Sequence, residues 1–181
     1  MLISFILKYN LTHMKKPRNI KVIKMSWKNF SKLETSVFKV IRSSDYKPEV
    51  ILGILRGGYS FTKYLARKLN IPFYFIRIRR TSSNKVFADK KEPEVIETES
   101  NFRGKLKSKR VLIADDIATF EKTLSKVRKV VLDEGAKDIR IATLIKHTHV
   151  PAKKSLVNYY AHVCKKNDWF IFPWEKGADY K

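Results

Sequence analysis

The sequence predicts an α/β protein: a twisted, mainly parallel sheet flanked by helices. Three observations lead there. Apolar runs such as Val50–Leu55 (VILGIL) and Val111–Ala114 read as strands covered on both faces, because a strand wetted on one side would alternate. Between these runs, apolar residues recur at helical spacing. Strands alternating with helices imply parallel strands joined by right-handed crossovers. At 181 residues, 44% of them hydrophobic, the chain suits one domain with a substantial core.

Residues 1–16 read as a loose extension, with Met14 a candidate initiator. Leu2–Leu7 is apolar but too short to span a bilayer, and it lacks the basic start of a signal peptide. The single domain is expected over 17–181. Lys21–Lys24 reads as a short strand, and Ser26 can cap the helix that follows. Phe30, Leu33, Val37 and Val40/Ile41 mark the buried face of that helix. After the Val50–Leu55 strand, Arg56-Gly57-Gly58 makes a turn. Phe61, Leu65 and Leu69 then line a second helix that Asn70-Ile71-Pro72 ends. Phe73–Arg79 is the next strand. Thr81–Lys109 is polar and aperiodic, which predicts a mobile loop with a short strand or hairpin near Val95–Thr98. The Val111–Ala114 strand leads to a helix over Lys122–Glu134, with Leu124, Val127 and Val130/Val131 inward and Gly135 at its end. Ile139–Ile145 and Tyr159–Val163 read as strands. The tail then carries the aromatic run Asp168–Glu175.

Lys and Arg number 39 against 17 Asp and Glu, a net charge of +22. Such an excess points to polyanionic partners, either a phosphorylated substrate or nucleic acid. Charge alone would support a membrane surface, so no membrane partner is expected. Cys164 is the only cysteine, which excludes an intrachain disulfide and fits a cytoplasmic protein; Cys164 itself reads as a small core residue. His147 and His149 alternate along a strand without a third ligand nearby and read as incidental.

Ligands of parallel sheets collect beyond the carboxyl ends of the strands. Two segments meet that condition, Arg56–Gly58 and Asp115–Thr123, and both should lie on one rim. Adjacent carboxylates at Asp115 and Asp116 can accept hydrogen bonds from a vicinal diol and hold Mg²⁺ through water. Each feature has a plainer reading: the acids as a response to a helix dipole, Arg56-Gly57-Gly58 as a turn, Lys146 as a solvated lysine, Trp169 as core. Their joint order favours a nucleotide site.

VLIADDIATFEKTL (Val111–Leu124) resembles the 5-phosphoribosyl-1-pyrophosphate (PRPP) signature of type I phosphoribosyltransferases. VILGILRGG resembles that family's pyrophosphate loop, and DWFIFPWE the base-binding hood of its xanthine-guanine and hypoxanthine branch, which implies a C-terminal hood over about residues 146–175. The resemblance covers about residues 20–175. It implies the type I phosphoribosyltransferase fold and purine salvage: transfer of 5-phosphoribosyl from PRPP to a 6-oxopurine (hypoxanthine, guanine or xanthine), giving pyrophosphate and a nucleoside monophosphate. It implies Mg²⁺ as cofactor and a homodimer. By the same resemblance, Asp115 and Asp116 bind the ribose hydroxyls, and Arg56, Gly57 and Gly58 hold pyrophosphate. Lys122 and Thr123 end the 5′-phosphate cradle. Lys146 reads the purine 6-oxo group, Trp169 stacks on the base and the Phe170 backbone meets its edge. Asp116 and Glu175 assist the metal.

One motif departs. Thr119-Phe120-Glu121 stands where the family has Asp-Thr-Gly. Thr119 occupies the place of the catalytic Asp and cannot act as a base at neutral pH. Glu121 is expected to bring a like charge to the phosphate, costing about 1 kcal/mol in water and about 4 kcal/mol at an effective dielectric of about 20 for a ~4 Å separation, unless it swings out to solvent. A catalytically weak or inactive protein that binds nucleotide or nucleic acid in a regulatory role is therefore the second expectation.

Overall fold

The computed structural model describes residues 20–79, 94–96 and 102–175. Elements follow in the order β1 (Lys21–Lys24), α1 (Trp27–Ser43), β2 (Val50–Leu55), α2 (Tyr59–Leu69), β3 (Phe73–Arg79), β4 (Glu94–Ile96), β5 (Arg110–Ala118), α3 (Lys122–Asp133), β6 (Asp138–His147), β7 (Tyr159–Cys164) and β8 (Asp168–Ile171). Six strands form one sheet in the order β4-β3-β2-β5-β6-β7. All are parallel except the edge strand β4, which runs against β3. β1 and β8 form a separate two-stranded parallel sheet, which brings the two ends of the described chain together.

The central strands are buried along their length because helices cover both faces. Phe30, Val37 and Ile41 of α1 and Phe61, Leu65 and Ala66 of α2 pack on one face, over Leu112, Ala114, Ala142 and Leu144. Leu124, Val127 and Val131 of α3 pack on the other, over Leu52, Ile54, Val111 and Ile113. The Ser26 hydroxyl accepts from the Asn29 N–H and caps α1, as its position predicted. Asn70 ends α2 in a left-handed conformation, φ 55°.

Three departures from the sequence reading have physical causes. On α1 it is Ile41 that is buried, while Val40 is 49% exposed, and Glu34 rather than Leu33 lies fully in the covered face at 7% exposure. β5 runs four residues past Ala114 because β6 continues to pair with it through Ala118 and Lys146. Much of the predicted mobile loop lies outside the described residues. Residues 102–109, however, form turns whose Phe102 and Leu106 are fully buried under α3's face of the sheet. Two apolar residues separated by polar ones carry no periodicity, so they were invisible as core. The extension at residues 1–16 lies outside the described residues. Among the described residues no helix is long and apolar enough to cross a membrane.

Candidate functional site

Adjacent parallel strands β2 and β5 pair in the register Val50↔Val111 to Gly53↔Ala114, so their carboxyl ends emerge side by side. The turn Arg56–Gly58 therefore meets Asp115 and Asp116. The approach is close: Gly58 faces backbone and must be glycine, whereas Gly57 faces only the Asp116 side chain. A Cβ on Gly57 would lie 2.3 Å from Asp116 Oδ2 and 2.5 Å from its Cγ, and one on Gly58 would lie 2.6 Å from the Ala114 carbonyl oxygen. Arg56 is exposed at the mouth of this junction. The Leu55–Arg56 peptide is cis.

Asp115 is 7% exposed, and its Oδ1 accepts from the Asp116 N–H at 3.0 Å. Asp116 is half-buried. Burial pushes its pKa up to about 6, against the pull of the Ile117 N–H and the Asp115 side chain, and the negative charge of Glu175 adds to the rise. Glu175 is thus close enough to act electrostatically on Asp116. It sits in the turn after β8, accepting from the Phe172 N–H at 2.8 Å. The donor set on this rim is all carboxylate oxygen, which suits Mg²⁺. Among the described residues no group of three His, Cys, Asp or Glu forms a metal cage. An ion here would share its coordination with substrate phosphates, as Mg²⁺ usually does.

Beyond β5, Thr119 lies half-buried in the bend before α3. Glu121 is the N-cap of α3, with φ 60° and ψ 7°, the left-handed conformation usual for glycine. Its carboxylate makes no bond to its own helix and does not reach solvent. It is buried, accepting from the Ser155 hydroxyl and the Leu156 N–H, each at 2.6 Å. Those partners belong to the connection between β6 and β7. The expected like charge at the phosphate loop is corrected accordingly: two strong hydrogen bonds hold it elsewhere. Lys122 is half-buried and Thr123 is 5% exposed at the start of α3.

Lys146 lies at the end of β6, opposite Ala118 of β5 and Val163 of β7. It is 7% exposed, its ammonium 5.3 Å from the centre of the Tyr160 ring. A buried lysine on an aromatic face is not the solvated lysine of the plainer reading. Trp169 is half-buried in β8, paired with Val22 of β1. Phe170 is 9% exposed, with its ring centre 6.1 Å from that of His162, which pairs with Ile145. Its side chain is therefore packing, and only its backbone is left for recognition. Phe172 and Trp174 stack at 4.9 Å, and both meet Phe30 edge-on, at 6.3 and 5.0 Å, which docks the hood on α1. His147 and His149 stack on each other at 5.5 Å rather than converging on a ligand, and the Phe120 ring lies 4.4 Å from His149.

The sequence reading missed Ser155 and Leu156. Nothing in AKKSL marks them, because their partner Glu121 is more than thirty residues away.

Comparison with known proteins agrees with this geometry. The phosphoribosyl transferase domain matches residues 24–181. A purine phosphoribosyltransferase structure from Pyrococcus horikoshii is 30% identical, covers 86% of this chain and 94% of its own, and superposes with a TM-score of 0.67. An orotate phosphoribosyltransferase of Sulfolobus acidocaldarius is 29% identical over 108 residues, 60% of this chain and 47% of that protein. A hypoxanthine phosphoribosyltransferase of Salmonella typhimurium is 29% identical over 97 residues, 53% of this chain and 52% of that protein. The chain thus spans about half the length of these two curated relatives.

Proposed function

From the premise that this chain belongs to the phosphoribosyl transferase family, we propose that it transfers 5-phosphoribosyl from PRPP to a 6-oxopurine. The observation that carries the proposal is the junction of Gly57 with the Asp116 carboxylate, where the Arg56–Gly58 turn and the Asp115–Asp116 pair meet on one rim. Hypoxanthine, guanine and xanthine are the bases that Lys146 can read, by donating to the 6-oxo oxygen from a buried position. Orotate also carries ring carbonyls, and relatives of both kinds exist, so the base set tested includes it.

In this reading Asp115 and Asp116 hold the ribose diol, and Arg56 and the Gly57 amide hold pyrophosphate, while Gly58, whose N–H donates to the Ile54 carbonyl at 2.9 Å, shapes the turn; Lys122 and Thr123 take the 5′-phosphate at the start of α3. Trp169 covers the base while the Phe170 backbone meets its edge. Asp116 and Glu175 would hold Mg²⁺, which neutralises the leaving pyrophosphate. The sugar then passes through an oxocarbenium-like state as the base nitrogen bonds to C1. Thr119 leaves the base-side proton to solvent, since its hydroxyl is no base at neutral pH. That substitution favours a second reading, a nucleotide-binding member with little turnover.

Incubation of pure protein with PRPP, Mg²⁺ and each of hypoxanthine, guanine, xanthine, adenine and orotate tests both readings. Pyrophosphate and a nucleoside monophosphate from an oxopurine are expected. Tight PRPP binding without product from any base selects the second reading, and no PRPP binding removes the first.

A further inference from the structure

Glu121 occupies a position where neither its backbone nor its side chain is at rest on its own. It is a non-glycine residue at φ 60°, and as N-cap of α3 its carbonyl accepts from the Ser125 N–H at 2.8 Å. An acidic N-cap ordinarily turns back to its own helix. Here the side chain makes no such bond. Both oxygens are spent on the β6–β7 connection: Oε1 on the Ser155 hydroxyl, Oε2 on the Leu156 N–H. The Ser155 oxygen in turn accepts from the Val157 N–H at 3.2 Å. Val157 is 7% exposed in the core under α3. The clasp is thus anchored to packed structure, and the Phe120 ring against His149 adds a second contact between the same two segments.

We propose that Glu121 is a positioning residue for phosphate capture: clasped by Ser155 and Leu156, it is held in its left-handed conformation, which fixes the course of the 119–123 turn, and its carboxylate is committed to the β6–β7 connection. The proposal rests on the reading above that a 5′-phosphate is taken at that turn. Glycine reaches this backbone conformation freely, but glutamate reaches it only if something outside the turn holds it. The β6–β7 connection, which touches no substrate in the proposed reaction, becomes part of the phosphate site through this clasp.

Calorimetry with two probes separates the possibilities. Ribose 5-phosphate reports on the 119–123 turn, and Mg²⁺-pyrophosphate reports on the Arg56–Gly58 loop. Ser155→Ala removes one hydrogen bond to a charged acceptor and should weaken ribose 5-phosphate by about tenfold. Pyrophosphate should change less than about twofold, because its loop lies on another strand. Ser155→Thr keeps the hydroxyl and should restore most of the loss. Glu121→Ala loses the clasp yet keeps the conformational demand, so it should bind ribose 5-phosphate more weakly than Glu121→Gly, which loses the clasp alone. A general loss of folding would weaken both probes together. If the wild-type protein binds both probes and Ser155→Ala and Glu121→Ala bind ribose 5-phosphate as well as it does, the positioning role is wrong while the proposed function stands. If the wild-type protein binds neither probe, the proposed function and the positioning role fall together.

Discussion

Two residues of the rim decide how the site responds to substitution and to pH. Gly57 leaves no room for a side chain, but the atoms a Cβ would strike are the end of the Asp116 side chain, which can turn aside. Gly57→Ala should therefore fold with a melting temperature close to that of the wild type. It should lose Mg²⁺-pyrophosphate affinity by at least about tenfold, equivalent to ~1.4 kcal/mol, because the displaced carboxylate no longer faces the loop. Calorimetry beside a thermal scan checks both halves. Asp116 carries a raised pKa. Its folded pKa of about 6 lies above the 3.8 of an unfolded aspartate, so its contribution to stability is complete below 3.8 and is lost as pH rises through about 6. Ligand binding runs the other way, since only the ionised carboxylate holds a diol or a cation. A carbon NMR titration of labelled aspartate carboxyls should show the Asp116 carboxyl titrating near 6. Glu175→Gln should move it downward by removing a neighbouring negative charge. An Asp116 that titrates at the ordinary value would remove this account.

At the scale of elements, α1 shows that helical spacing sets which positions are buried whatever residue stands there, with Phe30, Glu34, Val37 and Ile41 inward. The helix turns Glu34 into the face that meets α2, where burial raises its pKa to about 7 against the lowering pull of Arg67. The stability this acid contributes is complete below 4.5 and is lost as pH rises through about 7. Denaturant unfolding should find the wild type less stable at pH 8 than at pH 5, and Glu34→Gln should flatten that difference. An equal slope in both proteins would assign the pH dependence elsewhere. The motif that opens α3 illustrates the other limit. Val111 to Leu124 was legible as strand, acid pair and helix, because apolar runs and helical spacing are local signals. Where the Glu121 carboxylate goes was not legible, because Ser155 and Leu156 reach it only through the folding of β6 and the connection behind it. The same holds for Phe102 and Leu106, two isolated apolar residues that become core only when the sheet lies beneath them.

For the molecule as a whole, the net charge of +22 far exceeds what one phosphate pocket requires. Its expected consequence is non-specific attraction to polyanions that depends on salt. Fluorescence anisotropy with a labelled oligonucleotide should show binding at about 50 mM salt that is largely gone by about 200 mM. Mg²⁺-dependent PRPP binding should survive the same change, because it depends on fixed groups in a buried junction more than on the surrounding field. Binding to the oligonucleotide that persists at high salt would point to a specific nucleic-acid site. What the sequence by itself determined is the alternation of apolar strands and amphipathic helices, hence a parallel sheet, and the two strand-end motifs that such a sheet must carry to one rim. These follow from short-range periodicity and chain direction alone. Tertiary structure alone decided that Gly57 abuts Asp116, that Lys146 is buried on Tyr160, and that Glu121 turns away into a clasp. Each of these joins residues distant in the chain, and the energy of such a contact exists only after the sheet has brought its strands into register.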